Sequence, residues 1–275
     1  MPDKPEVAEH YSAHYRDFAA EVYGAVRREA FGVDVGQNSW LTVDELERFA
    51  SRLDLRPRAR LLDVACGSGG PALHLARLAR CDVVGADLYE AAVENGNREA
   101  RGAGLDDHVT FVKADGAERL PFESATFDAI LCIDAINHLH DRPRVLADWA
   151  RLLKPGGRLL FTDPVVVTGV VSADEIAVRA SIGYFLFLPA GENERLLAGA
   201  GLDVVSVEDT TDHLADVAGR RHDARARHAD ELVAVEGGDA FAGRQRFFQL
   251  VATLAQERRL SRLVYTAKRW SGRSQ

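Results

Sequence analysis

The stretch Arg58-Ala59-Arg60-Leu61-Leu62-Asp63-Val64-Ala65-Cys66-Gly67-Ser68-Gly69-Gly70-Pro71-Ala72 decides the fold. Leu61, Leu62, Val64 and Ala65 form the short apolar run of a strand buried on both faces. The run stops at Gly67-Ser68-Gly69-Gly70, and a helical spacing follows at once through Leu73, Leu75, Ala76, Leu78 and Ala79. Strand, glycine turn and helix in that order bring bare backbone N–H groups and a helix N-terminus against a nucleotide-like ligand. Asp63 interrupts the apolar run. A carboxylate buried near a strand end costs several kcal/mol unless it is paired. Asp63 is therefore expected to face a cation or hydrogen-bond donors in a ligand cleft; the alternative is an acid that caps the local turn.

The pattern repeats downstream. Asp82-Val83-Val84-Gly85-Ala86-Asp87-Leu88 reads as a second buried strand ending in an acid, 24 residues after Asp63. A carboxylate there suits the two vicinal hydroxyls of a ribose, and it can also cap the next helix. That helix spans about Glu90 to Ala103 and stops at Gly104. Val109 to Asp115 is a third strand, Asp128 to Ile133 a fourth, Asp141 to Leu153 a helix, and Leu159 to Asp163 a fifth strand. Beyond the carboxyl end of the fourth strand, where open α/β sheets bind ligands, stand Asp134, Asn137 and His138. His138 is a candidate general base, because an imidazole titrates near neutrality; the alternative is a histidine bonded to backbone.

Leu62-Asp63-Val64-Ala65-Cys66-Gly67-Ser68-Gly69 resembles the first motif of the class I S-adenosylmethionine-dependent methyltransferases. Gly67-x-Gly69-x-x-Ala72 alone also satisfies the dinucleotide pattern of NAD(P) oxidoreductases. Asp63, Asp115-Gly116-Ala117, the link Pro121-Phe122 to Phe127-Asp128, and Lys154-Pro155-Gly156-Gly157-Arg158 follow the methyltransferase order over residues 58–163. The resemblance implies a seven-stranded Rossmann-like α/β sheet with helices on both faces. It implies cofactor contacts at Asp63, Gly67, Gly69, Asp87, Leu88, Asp115, Gly116, Ala117, Ile133 and Asp134, with S-adenosyl-L-homocysteine as the product. An NAD(P) oxidoreductase, or a binding module that has lost turnover, are the alternatives.

The flanks are less determinate. From Glu9 to Glu29 apolar residues recur at helical spacing, and Thr42 with Glu45 reads as a capping box for a helix running to about Leu53. In the family such an arm, with tyrosines, closes over the cofactor, and aromatic faces offset part of the cost of drying a sulfonium, about 0.5–2 kcal/mol each. Tyr15, Gln37 and Trp40 are the candidate arm contacts to the cofactor; Tyr11 is assigned to the acceptor. After residue 163 come a helix start at Ser172, the run Ile182–Pro189, a helix from Glu192 to Ala200 and a sixth strand, Leu202 to Val207. About fifty inserted residues then form two helices, Thr210 to about Ala234 and Asp239 to Arg259, before a last antiparallel strand, Leu263 to Ala267. The insertion leaves the active-site end of the sixth strand, so it is expected to roof the acceptor pocket; a dimer face is the other reading. Asn137, Tyr184, His213 and Arg220 are the acceptor-side candidates, Arg220 for an anionic group. Glu175 is a second candidate base. The domain reading is an arm over 1–56, a cofactor core over 57–163 and acceptor loops with a cap over 164–275.

Composition narrows the class. The chain has 275 residues and a net charge of −8, which argues against a nucleic-acid surface as main partner. Cys66, Cys81 and Cys132 lack zinc-site spacing and read as small core residues of a reduced compartment. The histidines lack convincing metal spacing, so no metal is expected. No apolar stretch approaches a membrane span, and a cytoplasmic monomer or homodimer acting on a small-molecule acceptor is expected. Nitrogen or oxygen is the favoured acceptor atom, with carbon possible.

Overall fold

The computed structural model describes Tyr15 and residues 20–271. Two helices, α1 (Glu21–Phe31) and α2 (Val43–Arg52), precede the sheet. Then β1 (Arg60–Val64), α3 (Gly70–Ala79), β2 (Asp82–Asp87), α4 (Glu90–Gly102), β3 (Val109–Lys113), β4 (Phe127–Cys132), α5 (Arg142–Leu152) and β5 (Leu153–Val167) alternate. The order continues with α6 (Ala173–Arg179), β6 (Leu188–Pro189), α7 (Glu192–Gly199) and β7 (Leu202–Asp209). Helices α8 (Thr211–Arg227), α9 (Ala229–Glu236) and α10 (Gly238–Gln256) follow, and β8 (Leu260–Arg269) closes the sheet.

The strands lie in the order β3-β2-β1-β4-β5-β8-β7, with the two-residue β6 paired to β5. β1 to β5 are parallel, and β8 runs antiparallel to both β5 and β7. The strand order reverses between β1 and β4, so the crevice beyond their carboxyl ends is the topological switch point. Each face of the sheet carries its own core. Leu62, Ile130, Trp149 and Phe161 belong to one, and Leu61, Leu75, Phe111 and Leu131 to the other. These continuous apolar strands are what two-sided burial requires.

A third core lies outside the sheet. Phe31 and Trp40 from the arm pack with Leu214, Val217, Phe247, Phe248 and Val251 from α8 and α10. The insertion is thus a roof that shares its interior with the arm. It contains three helices where the sequence pattern gave two, because the chain turns at His228 between α8 and α9. The last strand begins at Leu260 rather than Leu263, which brings Arg262 into the ladder. At the start of α2 the expected capping box does not form: the Thr42 side chain caps nothing, and Glu45 is drawn away by a buried arginine.

Glycines shape the cofactor half. The Phe111 ring fills a slot in which a Cβ on Gly69, Gly85 or Gly96 would come within 2.2, 2.4 or 2.8 Å of it. On the other side of the glycine turn the Val35 carbonyl sits where a Gly70 Cβ would be, 1.7 Å away. The loop before α2 is therefore pressed onto the start of α3. Because no neighbour can collapse into the slot without a side chain of its own, Phe111→Ala is expected to destabilise the fold by about 3–5 kcal/mol in urea unfolding. A loss below about 1 kcal/mol would show that the slot closes on itself.

Candidate active site

The glycine turn sets the geometry. Ala65, Gly67 and Gly69 all have positive φ, at 55°, 57° and 79°; the Gly69 N–H closes the turn on the Cys66 carbonyl, and the Gly67 N–H is turned toward the end of β2. The Gly67 N–H donates to Asp87 Oδ2 at 2.8 Å, and the Tyr89 N–H to Asp87 Oδ1 at 3.0 Å. Asp87 is buried, and burial still raises it above the ordinary carboxylate range. Asp63, 3% exposed, lies beside it at the end of β1; burial and the neighbouring Asp87 push it up to about 8. No cation pairs with either acid among the described residues. Two adjacent buried carboxyls without a counter-charge are costly, and a cationic ligand relieves that cost.

Tyr15 closes the turn from the arm side. A Cβ on Gly67 would lie 3.2 Å from its hydroxyl, and its ring centre is 5.8 Å from that of Tyr89. Its carbonyl accepts from Asn95 Nδ2 at 2.9 Å. At the end of β3, Asp115 Oδ1 accepts from the Ala117 N–H at 2.9 Å. Gly116 packs so closely on β1 that a Cβ would be 2.9 Å from Val64 Cγ1. Leu88 is 47% exposed and presents an apolar face on the same side. A side chain at position 116 would push this loop off Val64 and Leu139.

Beyond β4 the chain passes Ile133, half-buried against the sheet core, and turns through Asp134 at a positive φ of 50°. Both Asp134 oxygens are fully engaged. Oδ1 accepts from Arg262 Nε at 2.8 Å and Thr162 Oγ1 at 2.7 Å, and Oδ2 from Arg262 Nη2 at 3.2 Å and the Trp40 N–H at 2.9 Å. Arg262 also reaches Glu45 Oε1 at 2.7 Å and Thr210 Oγ1 at 2.9 Å. Asp134, Glu45 and Arg262 are all buried. One guanidinium therefore ties α2, the β4 corner, the start of the roof and β8 together.

The next turn carries Asn137 and His138. His138 Nδ1 lies 2.8 Å from the Tyr184 carbonyl, an acceptor, so Nδ1 carries the proton and Nε2 the lone pair. Burial, followed by weaker effects that include the nearby Arg179, lowers His138 to about 4. Phe185 stands edge-to-face against its ring at 4.6 Å. Asn137 is fully buried, and neither its Oδ1 nor its Nδ2 has a hydrogen-bond partner. Tyr184 is 41% exposed and packs on His140 at the rim.

Several expected ligands are placed elsewhere. The Gln37 side chain spends its amide on its own loop, accepting from the Val35 N–H and donating to the Val33 carbonyl. It holds the loop over Gly70 and does not face a ligand. The Trp40 ring is stacked in the roof core against Phe247 and Phe248. The Asp134 carboxylate is saturated and its N–H donates to Thr162 Oγ1 at 2.6 Å, which leaves only its backbone carbonyl for a ligand. Glu175 closes a capping box with Ser172 and pairs with Arg259, which holds it down at about 2. It lines an outward groove of about 510 Å³ with Val178, His222 and Leu250, and it is no base. His213 Nε2 lies 3.0 Å from the Trp40 carbonyl, and Arg220 is solvent-facing beside Asp216. Tyr11 lies outside the described residues. The sequence reading missed Arg262, a charged residue inside an otherwise apolar segment, and that signal was visible.

Residues 62–161 match the family described as "Methyltransferase domain". The 27-O-demethylrifamycin SV methyltransferase of Amycolatopsis mediterranei is 32% identical over 216 residues, 77% of this chain and 79% of that protein. The chain belongs to the class I S-adenosylmethionine-dependent methyltransferases. Among solved structures, the [4+2]-cyclase SpnF superposes with a TM-score of 0.78 at 25% identity, over 99% of this chain and 98% of that one. A Haemonchus contortus phosphoethanolamine N-methyltransferase 2, solved with phosphomonomethylethanolamine and S-adenosylhomocysteine, gives a TM-score of 0.78 at 21% identity, over 93% of this chain and 60% of that one. By their names, relatives act at oxygen, nitrogen or carbon. This methyltransferase uses S-adenosylmethionine and acts on small molecules. The uncompensated Asp63–Asp87 pair and the bare glycine turn suit that cationic nucleoside. No group of three His, Cys, Asp or Glu that could hold a metal occurs among the described residues, and no described helix is long and apolar enough to cross a membrane.

Two stability predictions follow from these charges. Arg262→Met strands two buried acids and is expected to cost about 3–5 kcal/mol in urea unfolding; adding Glu45→Gln should return part of it, and a neutral single substitution would contradict the network. Asp63 holds its proton to about 8 in the folded apoprotein and only to the ordinary carboxylate range when unfolded. The folded state thus binds more protons between those limits, and unfolding free energy falls as pH rises through that window. Asp63→Asn should remove that slope and stabilise the apoprotein at pH 7 by on the order of 1–3 kcal/mol.

Proposed function

We propose that this methyltransferase transfers the methyl group to a hydroxyl oxygen, with His138 taking the proton that the hydroxyl loses. The observation that carries the reading is the neutral, tautomer-fixed imidazole at the end of β4, walled by Phe185. The likeness to an O-methyltransferase over 77% of the chain supports it. In the same reading Asp87 grips the ribose diol, Asp63 faces the cationic methionine end, and Tyr15 covers the cofactor from the arm. Asp115 to Ala117 and Leu88 flank the adenine, and the backbone at Ile133 and Asp134 meets the amino group. Asn137, whose amide lacks partners, hydrogen-bonds the acceptor.

S-adenosylmethionine supplies a methyl group already activated by its sulfonium. The protein's share is alignment and exclusion of water, and positioning of this kind can supply about 7–11 kcal/mol. A hydroxyl differs from a free amine in keeping a proton of little acidity until its oxygen is alkylated. As the new bond forms, that proton becomes far more acidic than an imidazolium, so its transfer to Nε2 runs downhill even though His138 is a weak base at rest. The Tyr184 carbonyl holds the ring for that transfer and stabilises the charge it gains.

His138→Ala is expected to lower kcat by about 100-fold or more, with S-adenosylhomocysteine affinity unchanged, when labelled methyl transfer is followed over a panel of phenols, alcohols and amines. Because His138 sits at about 4, the wild-type rate should show no inflection near 6.5 from this group and should fall only in more acidic solution. Turnover of amines alone, or a kcat indifferent to His138, would overturn the oxygen assignment. Asp87→Ala should weaken cofactor binding at least about tenfold in titration calorimetry, the loss of a charge-assisted hydrogen-bond pair.

A further inference from the structure

The run Ile182-Gly183-Tyr184-Phe185-Leu186-Phe187-Leu188-Pro189 carries six large apolar or aromatic side chains, and residues 180–191 hold no charge in a chain that is 28% charged. Such a run belongs in a core. None of the six is buried: Tyr184 is 41% exposed and the other five are half-buried. The runs of β1 and β4, by contrast, bury Leu61, Leu62, Ile130 and Leu131 completely. Both ends of the run are anchored. Ile182 packs on the core that arm and roof share, and Leu188 packs on a core of the sheet, where β6 pairs with β5. The four residues between belong to no core. They are nevertheless held in place. The Leu186 N–H donates to the Asn137 carbonyl at 2.8 Å, and the Tyr184 carbonyl accepts from His138 Nδ1 at 2.8 Å. Phe185 meets the His138 ring at 4.6 Å and Phe187 stacks on Phe185 at 6.1 Å, so a wall of two rings starts at the imidazole.

We propose that Tyr184, Phe185, Leu186 and Phe187 are specificity-determining residues of the acceptor site, and that they bind the body of a neutral, apolar alcohol whose hydroxyl reaches His138. The inference rests on the oxygen-acceptor reading above and names its substrate class. A strip ordered before the ligand arrives loses little freedom on binding, so the apolar area that the ligand covers counts toward affinity. Aromatic side chains suit this task because they offer broad contact with few torsions to freeze. The lack of charge over residues 180–191 matters as much as the apolarity. A carboxylate or ammonium on the body of the acceptor would lose its water against this strip and find no opposite charge in it. The occupant is the acceptor because the strip is continuous with Asn137 and His138. Four side chains also fall far short of the roughly 20–30 residues that a stable protein interface uses on each side.

The test uses the full chain saturated with S-adenosylhomocysteine and probes that share one primary hydroxyl: 1-hexanol, 1-octanol and 1-decanol, with 10-hydroxydecanoate and 10-amino-1-decanol as charged counterparts of the last. Calorimetry is expected to show affinity rising about two- to fourfold per added methylene. Both charged probes should bind at least about tenfold more weakly than decanol. Phe187→Ala should flatten the rise with chain length and weaken decanol binding at least about tenfold, with S-adenosylhomocysteine affinity intact. Phe187→Leu should keep most of the rise. A strip that serves packing alone would lose stability in the alanine variant and leave the rise unchanged. Should Phe187→Ala fail to fold, Tyr184→Ala, at an exposed position, decides by the same rise. Affinity indifferent to chain length, either charged probe bound as tightly as decanol, or a rise that both alanine substitutions leave intact would overturn the proposal. Methylation confined to amines, with the rise intact, would sink the oxygen-acceptor reading and leave the apolar strip standing.

Discussion

Buried charge must be neutralised, and the carboxyl edge of this sheet is arranged around that constraint. At its centre Arg262 sits between Asp134 and Glu45, entirely out of water. Toward β2 the balance tips negative, with Asp63 and Asp87 adjacent and uncompensated. On the roof side the guanidinium of Arg221, in α8, lies over the rings of Phe31, Trp40 and Phe248. A cationic cofactor beside Asp63 and Asp87 would relieve the negative end of that edge.

The central arginine also explains how the variable parts attach to the constant ones. The sheet alone has two cores, one on each face. The arm and roof share a third, and the Trp40 segment joins it to the sheet: its N–H meets Asp134, its carbonyl meets His213, and its ring lies among Phe247 and Phe248. The packing of the arm and the packing of the inserted helices are therefore one problem. Asp134 pays the conformational cost with a left-handed backbone, held there by four hydrogen bonds to its side chain.

How much of this was legible depended on whether a residue's role is local. Asp63, the glycine turn and Asp87 are fixed by strand ends and turn geometry within a few residues of themselves, and the structure brings them together as the spacing implied. The parallel order and the antiparallel last strand were legible for the same reason. Gln37, Trp40 and His213 were misread because their partners lie on other elements, or on their own loop, and no periodicity encodes that. Glu45 was read as a cap from its spacing to Thr42, but an ion pair with a residue 217 positions away was stronger. Glu175 fell to a local rule that was visible: Ser172 three residues earlier makes a capping box. Arg262 announces itself as a charge in apolar surroundings, a signal that the reading of Asp63 had already used and that applied equally to it.

The most direct test of the charge account is the number of protons exchanged on cofactor binding. S-adenosylmethionine titrated into the protein near pH 7, in two buffers of different ionisation enthalpy, should bind with release of a proton from Asp63, and the release should vanish in Asp63→Asn along with most of the affinity. Tight binding with no proton released, or binding that Asp63→Asn leaves intact, would contradict it.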